Sequence, residues 1–528
     1  MTNTPFTLQD DYWDSFEVQN PDLEFLYNHL LDLEEPQTPQ ELARAMVFGR
    51  IQQEKINLAA QQKDKGSLYL PKEVYKVGET LLFPALKYQH ANVVDVRPGA
   101  NPNLVDFQVI EVEFENGEKK QFAAGLEDHY LNTPEVLATE SENLNPEEVM
   151  NNYGDNLVAV LSGTLEENED LVRIAGKWFP RALLVDINAG HLNLAEAVLD
   201  MTDGQPLPTS SIIQQIDLPI DVNARLTEFS LNLALQEDER FDEVGPAGEI
   251  IWFLKRLEPD EVQQPPAWLG YQKIDYDQSV VAEMVNQFEG TIADEIEPQL
   301  LADEDANEVT ISLIYPHWRS GTLPLSKTIR NFFPTAYESP RVQFSFIDEE
   351  NGQAIPGWVV RPSGFVYGLR EWYESYELIP GSLVTIKRGK NPGEVIIKAH
   401  KKRPSRQWIR TILVGSDGGI VFAMLKQLVT ASYDDRMVIA VPDVDALDNY
   451  WDQPKNTLKS LNRTVIMIMR ELTKLNPQGH IHAQELYAAT NVIRRCPPGA
   501  IINLLINQPW AVHQGDLYFR LDEKMLEA

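Results

Sequence analysis

The chain has 528 residues with 45 Lys and Arg against 80 Asp and Glu, and its formal net charge is −35. That length exceeds the size of a single hydrophobic core, so we expect several domains. The single cysteine, Cys496, excludes an intrachain disulfide and a cysteine-rich zinc site. The first residues lack the basic and apolar regions of a signal peptide, and no apolar run approaches the roughly 20 residues that cross a bilayer. We therefore expect a cytoplasmic protein without a membrane partner.

The charge is unevenly distributed along the chain. Residues 351–500 contain 20 Lys and Arg against 13 Asp and Glu, whereas the remaining residues contain 25 against 67. Binding of a nucleic acid requires local positive charge that neutralises phosphates and releases their counterions. The basic segment is therefore the candidate for such contacts, because the acidic remainder repels a polyanion. The alternative is that the acidic surface only keeps a large protein soluble.

Residues 1–65 are predicted to be helical, and Thr38-Pro39-Gln40-Glu41 has the pattern of a capping box with Pro at the first helical position. Residues 66–134 contain four or five short apolar runs separated by turns, one of them an Asn-Gly hairpin signal at 116–117. This segment resembles the Tudor-like small barrels of bacterial transcription factors. Residues 133–157 are rich in Asn and Glu and are predicted to form a connector.

Two segments, 157–258 and 456–528, are each predicted to contain three helices followed by a two-stranded wing, which is the winged-helix order. Both resemble the winged helix in the delta subunit of bacterial RNA polymerase. The first copy has a net charge of −9 over residues 187–258, so we expect it to contact protein. The second has a net charge of +4 over 456–521 and offers Arg494 and Arg495 to DNA, with packing against protein as the alternative.

Three further segments lie between these copies. Residues 259–307 are acidic and proline-rich and are predicted to be a linker. Residues 308–404 are rich in strand signals. Residues 405–455 are predicted to form a hairpin, with Ser-Asp-Gly-Gly at its turn, and a connector.

The strand-rich segment contains three recognisable motifs, LPLSK at 323–327, DEENGQAIPGWVV at 348–360 and YGLREWYESYELIPGSLVTI at 367–386. It resembles the DNA-binding pseudobarrel of plant auxin-response-type factors, which also occurs in recognition domains of some bacterial restriction enzymes. Ser382 stands where that family has Asp. The fold class that follows is multidomain α+β, with a Tudor-like small β-barrel, two winged-helix domains and one seven-stranded-type pseudobarrel.

The resemblance implies that two arms of the pseudobarrel grip the major groove of DNA. Arginine can bind guanine edges with two hydrogen bonds, and Ser or Trp can contact phosphate or sugar. By position, the arms correspond to Trp318, Arg319 and Ser320 in the first and to Arg361, Ser363 and Tyr367 in the second.

The densest basic run of the chain lies at 398–410, directly after the pseudobarrel, and has Trp408 within it. Such cations can bind phosphates without recognising the base sequence. A solvated linker is the alternative. The candidate phosphate-binding residues are Lys398, Lys401, Lys402, Arg403, Arg406 and Arg410.

Enzymatic interpretations are not favoured. The chain has no phosphate-binding Gly-x-x-x-x-Gly-Lys-Ser/Thr loop, and His480 and His482 lack evident further metal ligands. We therefore expect no enzyme activity, no cofactor and no metal. The sequence favours a non-catalytic bacterial DNA-binding protein, associated with transcription or the chromosome, with duplex DNA and RNA polymerase or another protein complex as partners. Two alternatives remain, an acidic protein-interaction adaptor without nucleic-acid contact, and the DNA-specificity component of a restriction or defence system.

Overall fold

The structure is a computed structural model of the chain. It describes residues 12–63, 67–83, 86, 89–100, 107–114, 117–126, 129–132, 145–202, 204–216, 218, 223–288, 291–300, 306–391, 393–416, 418–453 and 460–526. The chain divides into two compact units, Met1–Asp186 with Pro219–Ser230, and Ile187–Leu218 with Leu231–Ala528. Among the described residues, no helix combines the length and the apolar content needed to cross a bilayer.

The first unit contains helices and two small sheets. Strands β1 to β5 form one sheet in chain order, in which only the β1–β2 pair is parallel, and β6 pairs antiparallel with β7. The elements are α1 (Asn20–Leu33), α2 (Pro39–Lys63), β1 (Ser67–Leu68), β2 (Thr80–Phe83), β3 (Gln89–Pro98), β4 (Gln108–Phe114), β5 (Lys119–Ala124), α3 (Pro146–Glu166), β6 (Leu171–Ile174) and β7 (Lys177–Pro180).

The capping box predicted at Thr38 is confirmed. The Thr38 N–H donates to Glu41 Oε2 at 2.8 Å, and the Glu41 N–H donates to Thr38 Oγ1 at 3.3 Å. Hydrogen bonding from Thr38 lowers the pKa of Glu41. Two donors at the start of α2 thus gain partners, which explains why the helix begins at Pro39.

The connector predicted at 133–157 is wrong in its second half, because α3 begins at Pro146; residues 133–144 lie outside the described residues. The Asn145 side chain caps this helix by accepting from the Glu147 N–H at 3.1 Å. The buried positions of α3 include Leu157, Leu161 and Leu165, which are spaced by one helical turn.

The second unit begins and ends with the same order of elements. In each copy a helix, a strand, two helices and two strands follow one another, and the sheet order is first, third, second strand. The first copy comprises α4 (Ala189–Asp200), β8 (Leu207–Pro208), α5 (Thr209–Ile213), α6 (Ala224–Glu237), β9 (Phe241–Glu243) and β10 (Ile251–Leu254), with the first half of α6 assigned to the other unit. The C-terminal copy comprises α12 (Leu461–Thr473), β20 (His480–His482), α13 (Ala483–Ile493), α14 (Pro498–Asn507), β21 (Ala511–Gly515) and β22 (Tyr518–Leu521).

The segment expected to be an acidic linker at 259–307 is folded instead. It contains α7 (Asp260–Gln263) and α8 (Gln278–Val285), and α8 is capped by the Asp277 side chain. Val281 and Val285, four residues apart, are fully buried in the same apolar core as the C-terminal copy. The prediction failed because two apolar residues on one helical face outweigh a proline-rich and acidic composition.

The central part of the second unit is a curled seven-stranded mixed sheet, which confirms the coarse prediction for 308–404. The strand order is β11-β16-β17-β13-β14-β15-β12, and only the β13–β17 pair is parallel. Its elements are β11 (Glu308–Ser312), α9 (Tyr315–Ser320), β12 (Thr322–Pro324), β13 (Arg341–Asp348), β14 (Ala354–Val360), β15 (Phe365–Tyr367), α10 (Arg370–Ser375), β16 (Leu383–Arg388) and β17 (Glu394–Ala399).

A long two-stranded ribbon follows the sheet. It consists of β18 (Lys401–Val414) and β19 (Ile420–Ala431), and α11 (Val444–Trp451) comes after it. The hairpin predicted around 412–422 is confirmed, but it extends back to Lys401. The basic run at 398–410 is therefore strand rather than a linker.

Candidate nucleic-acid interface

The first predicted arm lies in a short helix, α9, and not in the polar loop that the sequence indicated. Gly321 ends this helix at a φ of 67°, in the left-handed region that favours glycine. Trp318 is partly buried, and its Nε1–H donates to the carbonyl oxygen of Leu378 at 2.7 Å. Ser320 is fully buried. A duplex cannot reach the Ser320 hydroxyl in this conformation.

Arg319 of the same arm is bound by a carboxylate from a distant part of the chain. Its Nη2 lies 2.7 Å from Asp448 Oδ2 in α11, and its guanidinium lies 5.6 Å from the centroid of the Trp268 ring. This ion pair neutralises the charge that the resemblance assigns to a guanine contact.

The second predicted arm is also engaged within the protein. Arg361 Nη1 donates to the carbonyl oxygens of Ala336 at 2.8 Å and Ser339 at 3.1 Å. The Tyr367 hydroxyl donates to Glu261 Oε2 at 3.1 Å, and burial, with the nearby Glu261 carboxylate, raises the pKa of Tyr367 to about 12.

The surface beside this arm is not continuously positive. Ser363 is only half-buried, so it keeps some access to solvent. However, a groove of about 490 Å³ next to Tyr367 is lined by Glu371 as well as by Arg370. The first arm is thus partly buried and engaged, and the second borders a groove of mixed charge.

Arg495 of the C-terminal copy is fully buried and forms ion pairs with Asp294 and Glu295, both at 2.9 Å. His317 Nε2 lies 3.0 Å from the same Glu295 carboxylate. Although burial opposes ionisation of Glu295, Arg495 and His317 hold its pKa below the usual range. Arg495 therefore has a structural position that a nucleic acid cannot reach.

The neighbouring Arg494 is partly exposed and donates to Gln272 Oε1 at 2.9 Å. It lines a cavity of about 320 Å³ together with Trp268 and Trp451. The third helix of this copy, α14, packs against α8, and the Gly499 N–H at its start donates to Glu297 Oε2 at 2.7 Å. One side of α14 is thus covered by α8, whereas Ile506 and Asn507 at its end are exposed.

Four of the predicted phosphate-binding cations are engaged. Lys398 pairs with Glu349, Lys401 with Glu350 and Arg410 with Glu485, each at 2.7 Å. Lys402 is the fourth, and its ammonium lies 4.0 Å from the centroid of the Tyr433 ring and donates to Gln407 Oε1 at 3.1 Å. Burial lowers the pKa of Lys402.

The other cations of the ribbon face solvent. Arg403, Arg406 and Lys426 are exposed and form no ion pair with any residue that the structure describes. Trp408 lies directly opposite Lys426 in the antiparallel register and is 62% exposed. Lys426 Nζ lies 5.4 Å from the centroid of the Trp408 ring.

These side chains share one surface because directly opposed residues of an antiparallel pair project to the same side. Arg406 stands opposite Leu428, which is 66% exposed, and Arg410 stands opposite Met424. We call this surface the ribbon face. Its members are Arg406, Trp408, Met424, Lys426 and Leu428.

The rest of the ribbon is anchored in the second unit. On the opposite side, Ile409 and Val429 are buried against Val438 and Ala440. Near the turn, Ile412 and Phe422 are buried in the large apolar core. Ile412 and Phe422 lie on the same side as the ribbon face by alternation, so that side is exposed around Trp408 and buried toward the turn.

The ribbon face is a cationic exception in an anionic chain. Residues 401–431 contain six Lys and Arg and one Asp, a net charge of +5. Sequence reasoning found Arg403, Arg406 and Trp408 but missed Lys426, Leu428 and Met424. Counting outward from the predicted turn would have found them, since the pair Val414–Ile420 fixes Trp408 opposite Lys426.

Comparison with protein-family models, with curated proteins and with solved structures found no match to this chain. Within the described residues, no group of three or more His, Cys, Asp or Glu side chains is arranged to hold a metal ion.

Proposed function

We propose that this chain is a non-catalytic, nucleic-acid-binding protein whose contact surface is the ribbon face with the adjacent Arg403. The observation that supports the proposal is the concentration of solvent-facing cations around an exposed tryptophan on a segment of net charge +5. We place the contact outside the two predicted arms, because Arg319 is paired with Asp448 and Arg361 donates to two main-chain carbonyl oxygens.

Physical chemistry limits how such a surface works. An overall charge of −35 repels a polyanion at long range, so binding depends on short-range contacts made by the ribbon itself. Arg403, Arg406 and Lys426 would neutralise about three phosphates, which gives a slope of log K against log salt of about −2 to −3. We expect moderate affinity that falls steeply as salt is raised.

The two copies and the N-terminal sheet are suited to binding other proteins and so to positioning the ribbon face. The two copies of the helix-strand-helix-helix-strand-strand order resemble winged helices, and the third helix of the C-terminal copy packs with one side against α8. We propose that they, together with the Tudor-like N-terminal sheet, position the ribbon in a larger bacterial complex such as the transcription machinery. This step is an analogy between folds.

A second candidate is the acidic protein-interaction adaptor. Leu428 and Met424 add exposed apolar area to the ribbon face. An acidic, partly apolar peptide would then bind the ribbon in place of a nucleic acid.

The proposal is tested by fluorescence anisotropy of labelled oligonucleotides with the full chain over a series of salt concentrations. The variant Arg406→Ala with Lys426→Ala removes two contacts and is expected to reduce the salt slope by about 1 to 2. We also expect it to weaken binding at low salt by about tenfold or more.

The matched control is Lys273→Ala with Lys524→Ala, which removes the same charge from exposed positions elsewhere in the second unit. It is expected to bind like the parent. If the ribbon variant and this control bind equally well, or if the parent binds no nucleic acid, the proposed function is wrong.

A further inference from the structure

We infer that the ribbon face binds single-stranded nucleic acid, with an unpaired base stacked on Trp408 and the flanking phosphates held by Arg406 and Lys426. This inference rests on the proposed function, since it names the class of nucleic acid that the same surface takes. Three features of the ribbon support it.

The first feature is the exposure of Trp408. Its side chain is 62% exposed even with the Lys426 ammonium over one face of the ring, so ring area is open to a ligand. Stacking between a base and an aromatic side chain is favourable for every base, because every base has a π face. In a duplex those faces are covered by the neighbouring base pairs, and Trp408 would find only base edges, sugars and phosphates.

The second feature is the position of the cations around this ring. Arg406 lies two residues before Trp408 on the same strand and the same side, about 7 Å along the strand. Lys426 lies directly across on β19. Cations on two sides of an aromatic platform follow the pattern of single-strand-binding surfaces, in which basic side chains contact the backbone while bases stack.

The third feature is that the ribbon cannot enter a groove. A two-stranded ribbon that binds in the major groove of a duplex is inserted between the two sugar-phosphate backbones. Here the side opposite the ribbon face is packed against Val438 and Ala440, and Ile412 and Phe422 near the turn are buried in the core. Contact is therefore limited to the exposed part of the ribbon face around Trp408, which a single strand can cross.

Leu428 extends the platform next to Arg406. It is directly opposite Arg406 and 66% exposed, and Met424 lies farther along the same side. A second base of the strand can therefore rest on an apolar surface adjacent to Trp408. The commitment to one occupant comes from charge, because Arg406 and Lys426 are exposed, have no ion pair among the described residues and are complementary to a polyanion.

The test compares Trp408→Ala and Trp408→Phe in the full chain. The ligands are fluorescent oligothymidine and oligouridine of about 12 nucleotides, within the range of single-strand site sizes, and a duplex of equal length. Trp408→Ala is expected to weaken binding of at least one single strand by about 5- to 100-fold and to leave duplex binding within about twofold. Trp408→Phe should retain most of the affinity because it keeps an aromatic face. The two single strands show whether the surface prefers DNA or RNA.

The failures can be told apart. If Arg406→Ala with Lys426→Ala has no effect on any oligonucleotide, the proposed function fails and this inference fails with it. The stacking inference is overturned if that variant weakens binding but Trp408→Ala reduces duplex and single-strand affinity by the same factor. It is also overturned if Trp408→Ala changes neither affinity, because the surface then binds phosphates alone. Because Trp408 is exposed and outside the described cores, thermal melting of each variant should match the parent.

Discussion

Arginines of the second unit that look alike in sequence differ in whether a carboxylate of the protein binds them. Arg319 and Arg495 are bound by the carboxylates of Asp448 and Asp294, which lie 129 and 201 residues away along the chain. Arg406 has no such partner among the described residues and faces solvent beside Trp408. The comparison teaches that long-range packing decides whether a cation is available to a ligand. Local charge density does not.

The largest expected effect concerns the buried cluster around Arg495. The change Arg495→Met leaves Asp294 and Glu295 in the interior without their cation, which costs about 3 to 5 kcal/mol of unfolding free energy. Denaturant titration of the full chain measures this loss as an earlier transition of the second unit. Arg494→Met is the control, and it should change the free energy by less than about 1 kcal/mol because its side chain is partly exposed. Equal transitions in the two variants would show that Arg495 is not an internal structural cation.

The partly buried carboxyl of Glu243 extends the comparison to the acidic residues. Burial raises the pKa of Glu243 to about 7, although its Oε1 accepts from the Gly245 N–H at 2.9 Å. The folded chain therefore retains a proton that the unfolded chain has released, and stability decreases as pH rises between about 4.5 and 7. Glu243→Gln should make the loss of unfolding free energy over this pH range smaller by about 2 kcal/mol. The measurement is the difference in thermal midpoint between pH 5 and pH 7.5, which should be smaller in the variant. An unchanged difference would mean that Glu243 stays ionised in the folded protein.

The smallest effect is expected at Arg319, where the ion pair with Asp448 is a quarter exposed on each side. Arg319→Ala should cost about 1 kcal/mol of stability through loss of this pair and of the contact with Trp268, and should leave oligonucleotide affinity unchanged. The combination with Asp448→Ala should be less than additive, because both changes remove one interaction. If Arg319→Ala instead reduces oligonucleotide affinity at unchanged stability, the first arm is the binding site and the comparison fails.

Local patterns predicted much of the secondary structure. The Thr38 capping box, the strands at 341–348 and 354–360 and the hairpin around 412–422 follow from capping, alternation and turn chemistry, which are short-range effects. The helix α9 was missed because its six residues, Tyr-Pro-His-Trp-Arg-Ser, have little helical pattern, and burial of Tyr315 and His317 stabilises it.

The candidate site was predicted only in part, for a related reason. The density of cations at 398–410 indicated a phosphate-binding segment, and two of its six cations, Arg403 and Arg406, face solvent together with Trp408. Lys398, Lys401 and Arg410 are not available to phosphate because they form ion pairs. Their partners Glu349, Glu350 and Glu485 come from other parts of the second unit. Pairing between such distant residues depends on the tertiary fold, and a single sequence does not contain that information directly.

The irregularity at the start of the ribbon has a consequence for solubility. Lys401 pairs with Ala431 and Ser405 with Val429, so Lys402, Arg403 and Pro404 stand opposite the single residue Thr430. A bulge of this kind twists the strand, and Pro404 offers no N–H to a visiting strand. The exposed tryptophan and leucine nearby would otherwise invite edge-to-edge assembly of neighbouring molecules into extended sheets. The ribbon can thus expose apolar side chains while the edge of β18 at Pro404 resists pairing with a strand of another molecule.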